Sequence, residues 1–388
     1  MIEKLLEGIR VVDFSWVLAG PMTTKMLGAM GAEVIKVESG LRPEYRKRQG
    51  WPAVVNNNKK SSTINFTTPE GKEIVRELIR KSDILVENFS ARVLKGHGLD
   101  YESVKRINER MIYVSASGVG RSGPQKDYLA YGTLLQSYSG RVGMIGEPNP
   151  RGESMGILPA WTDPVTAMWE VLAIVTALRH RKVTGMGSYI DLSMLESTVA
   201  LLPESVIRLQ LGLETREQGG NRTADCAPAG CFKCAGADAW VALSVAGDAE
   251  WKALCGLMRR PELFQDERYA TREARISKRD DLNAMVAGWL ADEDADVVER
   301  LLVSNGLSAA RSRSIADVID EHTKAGSGLF PDVEHLKTIA LPWKDIGGKR
   351  GRTSAAPALG DANQYVFGDL LGIPPEEIDR LVTEGVIV

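Results

Sequence analysis

The chain has 388 residues, of which 44% are hydrophobic and 26% charged, so it can form two or three packed domains and is too apolar to be intrinsically disordered. Its net charge of −3 and pI near 6.0 disfavour a nucleic acid partner, because a phosphate backbone requires a concentrated basic face. The amino terminus has no uninterrupted apolar segment, and no later stretch is apolar for long enough to span a bilayer. We therefore expect a cytoplasmic protein that does not associate with membranes.

The cysteines do not predict a disulfide framework or a metal site. Four cysteines are few for a chain of this length. Cys226, Cys231 and Cys234 lie close together in sequence, but they lack the paired C-x-x-C repeats of structural zinc, and no histidine is near. We expect small buried thiols and no metal.

The first third of the chain alternates strand and helix patterns. Strands are predicted over residues 9–14, 32–37, 62–66, 84–86 and 111–115, and helices over 22–30, 68–80 and 101–110. This alternation predicts an α/β fold, with a Rossmann-like, mostly parallel sheet covered by helices on both faces. Ligands collect outside the carboxyl ends of such strands. The loops that follow the strands are therefore candidate binding loops.

One of these loops, Gly118 to Gly123, has the G-x-G-x-x-G spacing of dinucleotide-binding proteins. It follows a late strand rather than the first one, and Pro124 to Tyr128 stand where a helix should begin. We therefore predict a flexible loop. A nicotinamide-dependent oxidoreductase is disfavoured.

The later part of the chain predicts a second domain. A long apolar helical pattern covers 164–182, a sharp turn follows at Thr184 to Gly187, and a strand is expected over 188–193. The turn formers at 218–223 are typical of a linker or exposed loop. The predicted domains are a large Rossmann-like domain (1–200), a smaller α+β domain (225–310) and a C-terminal segment that returns to the large domain (330–388).

Asp163 stands where a loop meets this long helical pattern. Asp followed by Pro is typical of an N-cap followed by Pro at the first helical position. The positive end of a helix dipole also favours an ionised carboxylate, which can act as a nucleophile. Taken locally, the sequence favours the capping role and leaves catalysis open.

Several phrases, in a fixed order along the chain, resemble family III CoA-transferases, the family of formyl-CoA transferase and carnitine CoA-transferase. They are Leu18 to Pro21, Gly31 to Glu38, Val86 to Phe89, Gly132 to Gly140 with Gln136, Thr184 to Met194, Ala356 to Gly360 and Glu384 to Ile387. No phrase is specific alone, but their joint order and spacing cover essentially the whole chain.

The resemblance implies that Asp163 is the catalytic nucleophile, because the family places an Asp upstream of the Thr-Gly-x-Gly turn. It implies transfer of CoA from an acyl-CoA to a carboxylic acid through mixed anhydrides and an aspartyl-CoA thioester. Coenzyme A esters are then the substrates, and no metal is required. It also implies an interlocked dimer, formed with an identical chain or with a homologous subunit.

The resemblance further implies a CoA-binding site. Its residues are Val17, Leu18, Ala19, Ile64, Asn65, Asn88, Phe89, Ser90, Ala130 and Tyr131. For Asn88 and Tyr131, a structural role in turn formation or core packing is as well supported by the sequence as CoA binding.

The sequence departs from formyl-CoA transferase at three places. The Arg that contacts adenosine in that enzyme is Ser39 here, and Arg42 in the same loop is the candidate for phosphate contacts. The acidic residue after the matching Tyr is Gly132, and residues 245–251 replace a glycine-rich lid. Formyl-CoA and oxalate are therefore poor candidates for the substrates.

Two alternatives remain beside the transferase. An acyl-CoA racemase of the same superfamily would use a His at the position of Tyr131, and none of the chain's histidines (His97, His180, His322 and His335) is well placed. A non-catalytic subunit of a transferase complex would keep the fold without the chemistry. The loop Glu38 to Pro43 resembles relatives that move CoA from succinyl-CoA to acids such as benzylsuccinate, which predicts a dicarboxyl or aryl acid.

Overall fold

The computed structural model describes residues 1–41, 51–144, 160–213, 221, 223 and 225–388. These residues form two compact units. So far as they are described, the first unit comprises Met1–Val142, Gly156–Thr215 and His322–Val388, and the second comprises Gly143–Met155 and Arg216–Glu321.

The first unit is built on a six-stranded sheet. Its strands are β1 (Arg10–Asp13), β2 (Glu33–Glu38), β3 (Lys60–Thr63), β4 (Ile84–Glu87), β5 (Ile112–Ser117) and β6 (Ser188–Ser193). All neighbouring pairs are parallel, and the order is β3-β2-β1-β4-β5-β6. This is the order of Rossmann-like folds, so the predicted fold class is confirmed.

The inner strands of the sheet are buried on both faces, and the apolar residues of β4 therefore follow one another without alternation, whereas β6 at the edge alternates half-buried and exposed residues. Successive side chains still point to opposite faces. Val12 packs in a cluster with Leu78 on one face, and Val11 packs in a cluster with Leu27 and Ile174 on the other.

Nine α-helices are assigned to the described residues of the first unit before residue 213. They are α1 (Ala19–Ala29), α2 (Trp51–Val55), α3 (Pro69–Arg80), α4 (Ala91–Gly96), α5 (Tyr101–Ile107), α6 (Gly132–Tyr138), α7 (Thr162–Thr184), α8 (Met194–Val199) and α9 (Pro203–Gln210). The predicted start of α1 at residue 22 is three residues too late. Pro21 lies within its first turn, where a missing N–H costs no hydrogen bond.

The second unit contains a three-stranded antiparallel sheet in the order β7 (Ala229–Lys233), β8 (Trp240–Ser244) and β9 (Ser308–Arg311). Its helices are α10 (Asp248–Leu257), α11 (Glu262–Gln265), α12 (Arg272–Ser277), α13 (Arg279–Leu290) and α14 (Ala295–Ser304), and the division between the units falls within α15 (Ile315–Lys324). Buried Trp251 and Leu254 belong to its core.

The C-terminal segment lies against the large sheet. It contains the hairpin β10 (Asp332–Val333) and β11 (Leu336–Lys337), a π-helix (Gln364–Leu370) and α16 (Pro375–Thr383). The Asn65 N–H donates to the Val386 carbonyl at 2.8 Å, and the Thr63 N–H donates to Asn363 Oδ1 at 2.9 Å. The segment therefore covers the end of β3.

Within the described ranges, no helix combines the length and apolar character needed to cross a membrane. No three His, Cys, Asp or Glu side chains of the same ranges cluster as metal ligands would. All four cysteines are free. Cys234 is buried, but Cys226 is only partly buried and Cys231 is exposed, so the prediction of buried thiols is wrong for two of the three. The small β-strand β7 places Cys231 on its outer side.

Candidate active site

Asp163 lies in the first turn of α7 and is not its N-cap. The helix begins at Thr162, its N-cap residue is Trp161, and no side chain caps it by a hydrogen bond within the described residues. The predicted capping role is therefore wrong, and the predicted helix start at Pro164 is two residues too late. The Asp163 side chain is 9% exposed, so its carboxylate is largely shielded without being used as a cap.

The start of α7 is fixed by Gln136 of α6. Its Oε1 accepts a hydrogen bond of 2.9 Å from the Trp161 N–H, a donor that the helix itself leaves without a partner. Gln136 is fully buried. Thr198 of α8 also donates to Thr162 Oγ1 at 3.2 Å. Sequence reasoning missed Gln136 as a site residue, although the residue belongs to one of the phrases that carry the family resemblance.

The Asp163 carboxylate lies beside the N-terminal ends of three helices. It belongs to the first turn of α7, and the N–H of Ala19, the first residue of α1, donates to it. A Cβ on Gly132, the first residue of α6, would stand 1.9 Å from Asp163 Oδ2. The dipoles of all three helices favour negative charge here. The arrangement can therefore stabilise both a carboxylate and the oxyanions of acyl transfer.

The same surroundings determine the acidity of Asp163. Burial raises its pKa to about 6, although hydrogen bonds from the N–H groups of Asp163 itself and of Ala19 favour the ionised form. A carboxyl group with this pKa is mostly ionised at neutral pH. It is therefore available as a nucleophile.

The crevice of the sheet opens between β1 and β4, which are neighbours in space but not in sequence. Asn88, which follows β4, joins the two loops there. Its Oδ1 accepts from the Trp16 N–H at 2.7 Å and its Nδ2 donates to the Trp16 carbonyl at 2.8 Å. Asn88 therefore holds the loop after β1 in place, which is the structural role that its sequence left open.

Val17, the next residue of that loop, has a left-handed backbone with φ of 59°. This conformation is strained for a β-branched residue. Val17 is also 56% exposed. An exposed, strained apolar residue at the crevice suits contact with a ligand.

A cavity of about 620 Å³ occupies this crevice. It is lined by six of the predicted CoA-binding residues, Val17, Asn88, Phe89, Ser90, Ala130 and Tyr131, and by others that include Trp16, Arg92, Lys126 and Tyr128. Tyr131 is 76% exposed, which contradicts its core-packing alternative. Asp163 does not line the cavity, but the chain passes directly from Tyr131 to Gly132, which contacts the Asp163 carboxylate.

A second cavity, of about 300 Å³, lies beside the first. It is lined by the predicted Ile64, Asn65 and Phe89, and also by Ser39, Trp16, Phe66 and His97. The rings of Trp16 and Phe89, which line both cavities, meet edge to face with centroids 5.5 Å apart.

Two of the predicted CoA-binding residues, Leu18 and Ala19, line neither cavity. Ala19 is buried and directs its N–H to Asp163, and Leu18 is the N-cap residue of α1. Arg42 lies outside the described residues.

The glycine-rich loop is anchored by Arg121, so the prediction of a flexible loop is wrong around this residue. The Arg121 guanidinium donates to Glu87 Oε1 at 2.8 Å and to Ser115 Oγ at 2.6 Å. Its backbone N–H donates to Asp191 Oδ1 at 2.9 Å. Burial raises the pKa of Glu87, although Arg121 acts in the opposite direction. The loop thus joins the ends of β4, β5 and β6, and no helix follows it directly.

The histidines do not complete a proton-transfer site with Asp163. His97 lines the second cavity and packs edge to face on Phe66. His180 lies on α7, about 25 Å along the helix axis from Asp163 at 1.5 Å per residue. No contact between a histidine and Asp163 occurs in the described part of the chain.

Comparison with known proteins places the chain among CoA-transferases. Residues 6–363 match the family model CoA-transferase family III. The chain is 32% identical to the succinyl-CoA–L-malate CoA-transferase beta subunit of Chloroflexus aurantiacus, over 98% of each chain. It is 30% identical to the succinyl-CoA:glutarate CoA-transferase of Mus musculus, over 99% of this chain and 90% of the mouse protein. A crystal structure of a CAIB/BAIF family protein from Brucella suis superposes with a TM-score of 0.86 and 29% identity, over 94% of this chain and 99% of that chain.

Proposed function

The chain belongs to CoA-transferase family III and is a CoA-transferase, and from this premise we propose that it moves CoA between carboxylic acids through a thioester on Asp163. The observation that carries the proposal is the placement of the Asp163 carboxylate, which is buried, at the N-terminal ends of α1, α6 and α7. A carboxylate held in this way is ionised, oriented and largely shielded from water.

The reaction needs four acyl transfers that balance without ATP. The Asp163 carboxylate attacks the thioester carbonyl of the donor, the C–S bond breaks, and a mixed anhydride and CoA thiolate form. The thiolate then attacks the Asp163 carbonyl of the anhydride, which releases the donor acid and leaves aspartyl-CoA. The acceptor carboxylate displaces the thiolate to form a second anhydride. The thiolate attacks its acceptor carbonyl, which yields acceptor-CoA and regenerates Asp163.

The residues around Asp163 support each step. The Ala19 N–H and the N-terminal turns of α6 and α7 offer positive dipoles to the tetrahedral oxyanions. Gly132 has no side chain beside Oδ2, which leaves room for a reacting acyl carbon. The low exposure of Asp163 limits hydrolysis of the anhydride and the thioester.

We assign CoA to the two cavities. The first leads along Ala130 and Tyr131 toward Gly132, so it suits the pantetheine arm and the thioester. Arg92 and Lys126 line it together with Asp127, which lies 3.6 Å from Arg92, and the remaining positive charge complements the phosphates of CoA.

The second cavity is lined by aromatic rings that suit stacking with adenine. The residues that contact CoA in this assignment are Ile64, Asn65, Val17, Asn88, Phe89 and Ser90. Arg42 remains a candidate for phosphate contacts.

We further propose that the active form is a dimer with a second copy or with a homologous subunit. Trp169 and Leu172 of α7 are exposed and line an apolar cavity of about 450 Å³, which is unusual on a monomer surface. That one relative is a beta subunit supports a homologous partner. The names of the relatives support succinyl-CoA as the donor.

The test is chemical capture of the intermediate. After incubation with donor acyl-CoA, hydroxylamine should convert Asp163 to a hydroxamate, because it attacks activated carboxyl groups and leaves ordinary carboxylates unchanged. Asp163→Ala should lose CoA exchange and keep its fold, because no cap is removed. Glu170→Gln, a change of another carboxyl group on the same helix, should keep the hydroxamate on Asp163.

The location of the hydroxamate decides between the alternatives. A hydroxamate on another residue reassigns the nucleophile. If no hydroxamate forms although the donor is active, the result contradicts the aspartyl thioester. It then favours a direct mechanism or a non-catalytic subunit. A racemase would instead incorporate solvent deuterium at the α-carbon of an acyl-CoA without any free acid, and we expect no such exchange.

A further inference from the structure

Arg141 is a cation placed next to the start of α7. It follows α6 after Gly140, whose φ of 83° turns the chain back. Its Nη1 donates to Gln136 Oε1 at 3.1 Å, and the same oxygen accepts from the Trp161 N–H at 2.9 Å. Arg141 Nη1 and the Trp161 backbone nitrogen therefore both contact Gln136 Oε1. Trp161 is two residues before Asp163, so the guanidinium lies near the start of the helix that carries the nucleophile.

Among the residues that the structure describes, this guanidinium has no anionic partner. In the described ranges no carboxylate lies within 4.0 Å of it, whereas half-buried Arg121 and buried Arg181 are paired with Glu87 at 2.8 Å and Asp83 at 2.9 Å. Arg141 is itself only partly exposed. A partly buried cation that lacks a counter-charge is costly, which points to an anion that arrives from outside the chain.

We infer that Arg141 binds the distal carboxylate of a dicarboxylic acid while the other carboxyl group of the same acid reacts at Asp163. The inference rests on the proposed function. With Nη1 held by Gln136, the Nη2 and Nε groups are left to form the paired hydrogen bonds that a carboxylate accepts from arginine.

The same contact would make the enzyme selective. A monocarboxylic acid would leave the guanidinium desolvated and unpaired, so it would be rejected. Succinate and glutarate, the acids in the name of one relative, both carry the second carboxylate that this contact requires.

The alternative is that Arg141 only holds Gln136. A competition assay separates the two roles. With succinyl-CoA as the donor and equal amounts of glutarate and valerate, both products arise from one common intermediate. The ratio of glutaryl-CoA to valeryl-CoA therefore reports acceptor choice and is independent of the donor step and of the fraction of active enzyme.

Arg141→Met should lower this ratio by roughly 10- to 100-fold, the usual value of hydrogen bonds to a charged group. Arg141→Lys should lower the ratio less, because lysine keeps the positive charge but cannot donate the two parallel hydrogen bonds of a guanidinium. Arg179→Met, an exposed arginine on α7, should leave it unchanged. An unchanged ratio in an active Arg141→Met variant would overturn the inference and leave the proposed function intact.

A binding measurement keeps the inference testable if no transfer occurs. Titration calorimetry of glutarate and valerate with Asp163→Ala requires no turnover. Adding Arg141→Met should weaken glutarate binding by the same factor and leave valerate binding unchanged. Equal effects on both acids, or none on glutarate, would overturn the role of Arg141. Failure of the wild-type protein to exchange CoA would overturn the proposed function alone.

Discussion

Gly132→Ala should displace the Asp163 carboxylate. A Cβ at position 132 would stand 1.9 Å from Oδ2, whereas ordinary contact begins at 3.4 Å, so the oxygen must move by 1.5 Å, the difference between the two. A misplacement of about 1 Å can slow a reaction by about 100-fold, or about 3 kcal/mol of activation free energy. We expect a loss of kcat of this order in CoA exchange.

The fold should tolerate this substitution. Gly132 is the first residue of α6, and alanine is favoured over glycine in helices by up to about 1 kcal/mol. The atom that must yield is the end of a rotatable side chain, so the free energy of unfolding should change little.

The assay is the exchange of labelled acid into acyl-CoA, measured together with urea unfolding. Gly288→Ala is the matched control, because Gly288 is exposed within α13 and an added Cβ would meet no atom within 4 Å. The control should exchange CoA at the wild-type rate. If Gly132→Ala does so as well, with an intact fold, the position of Oδ2 beside α6 does not matter to catalysis and the reasoning fails.

Two further predictions concern pH. Because the pKa of Asp163 is raised to about 6, kcat/KM should rise tenfold per pH unit below pH 6 and level off above it; a profile flat from pH 5 to 8 contradicts Asp163 as the ionising group. Glu170 is fully buried, and burial raises its pKa to about 8 from an unfolded value near 4.5. The folded state therefore holds the extra proton, and the free energy of unfolding should fall between these pH values by up to about 1.4 kcal/mol per unit. Glu170→Gln should remove this fall in urea unfolding, and an equal fall in both proteins would rule out Glu170.

Local patterns were sufficient to predict the α/β class. The strands β1 and β4 contain short runs of buried apolar residues, and α3 has a cap and an apolar period that depend only on neighbouring residues. Thr68, for example, caps α3 by accepting from the Gly71 N–H at 3.0 Å. The strand β7 was missed because its sequence, Ala229–Lys233, mixes small and polar residues and is stabilised by pairing with β8.

The composition of the candidate site was only partly accessible from the sequence. The family resemblance named Asp163 and most of the residues that line the two cavities. It did not name Gln136 or Arg141 as site residues, because their importance comes from one shared acceptor oxygen near the start of α7. It also could not decide whether Asn88 was structural, a question that its bonds to Trp16 answer.

The sequence by itself determined which segments form helices and buried strands, because burial and capping act over a few neighbouring residues. Only the tertiary structure decided the strand order that opens the crevice between β1 and β4. It alone also brought Ala19, Gly132 and Asp163 together. Contacts between residues far apart in sequence arise when the whole sheet packs, and no local pattern encodes which helix ends will then meet.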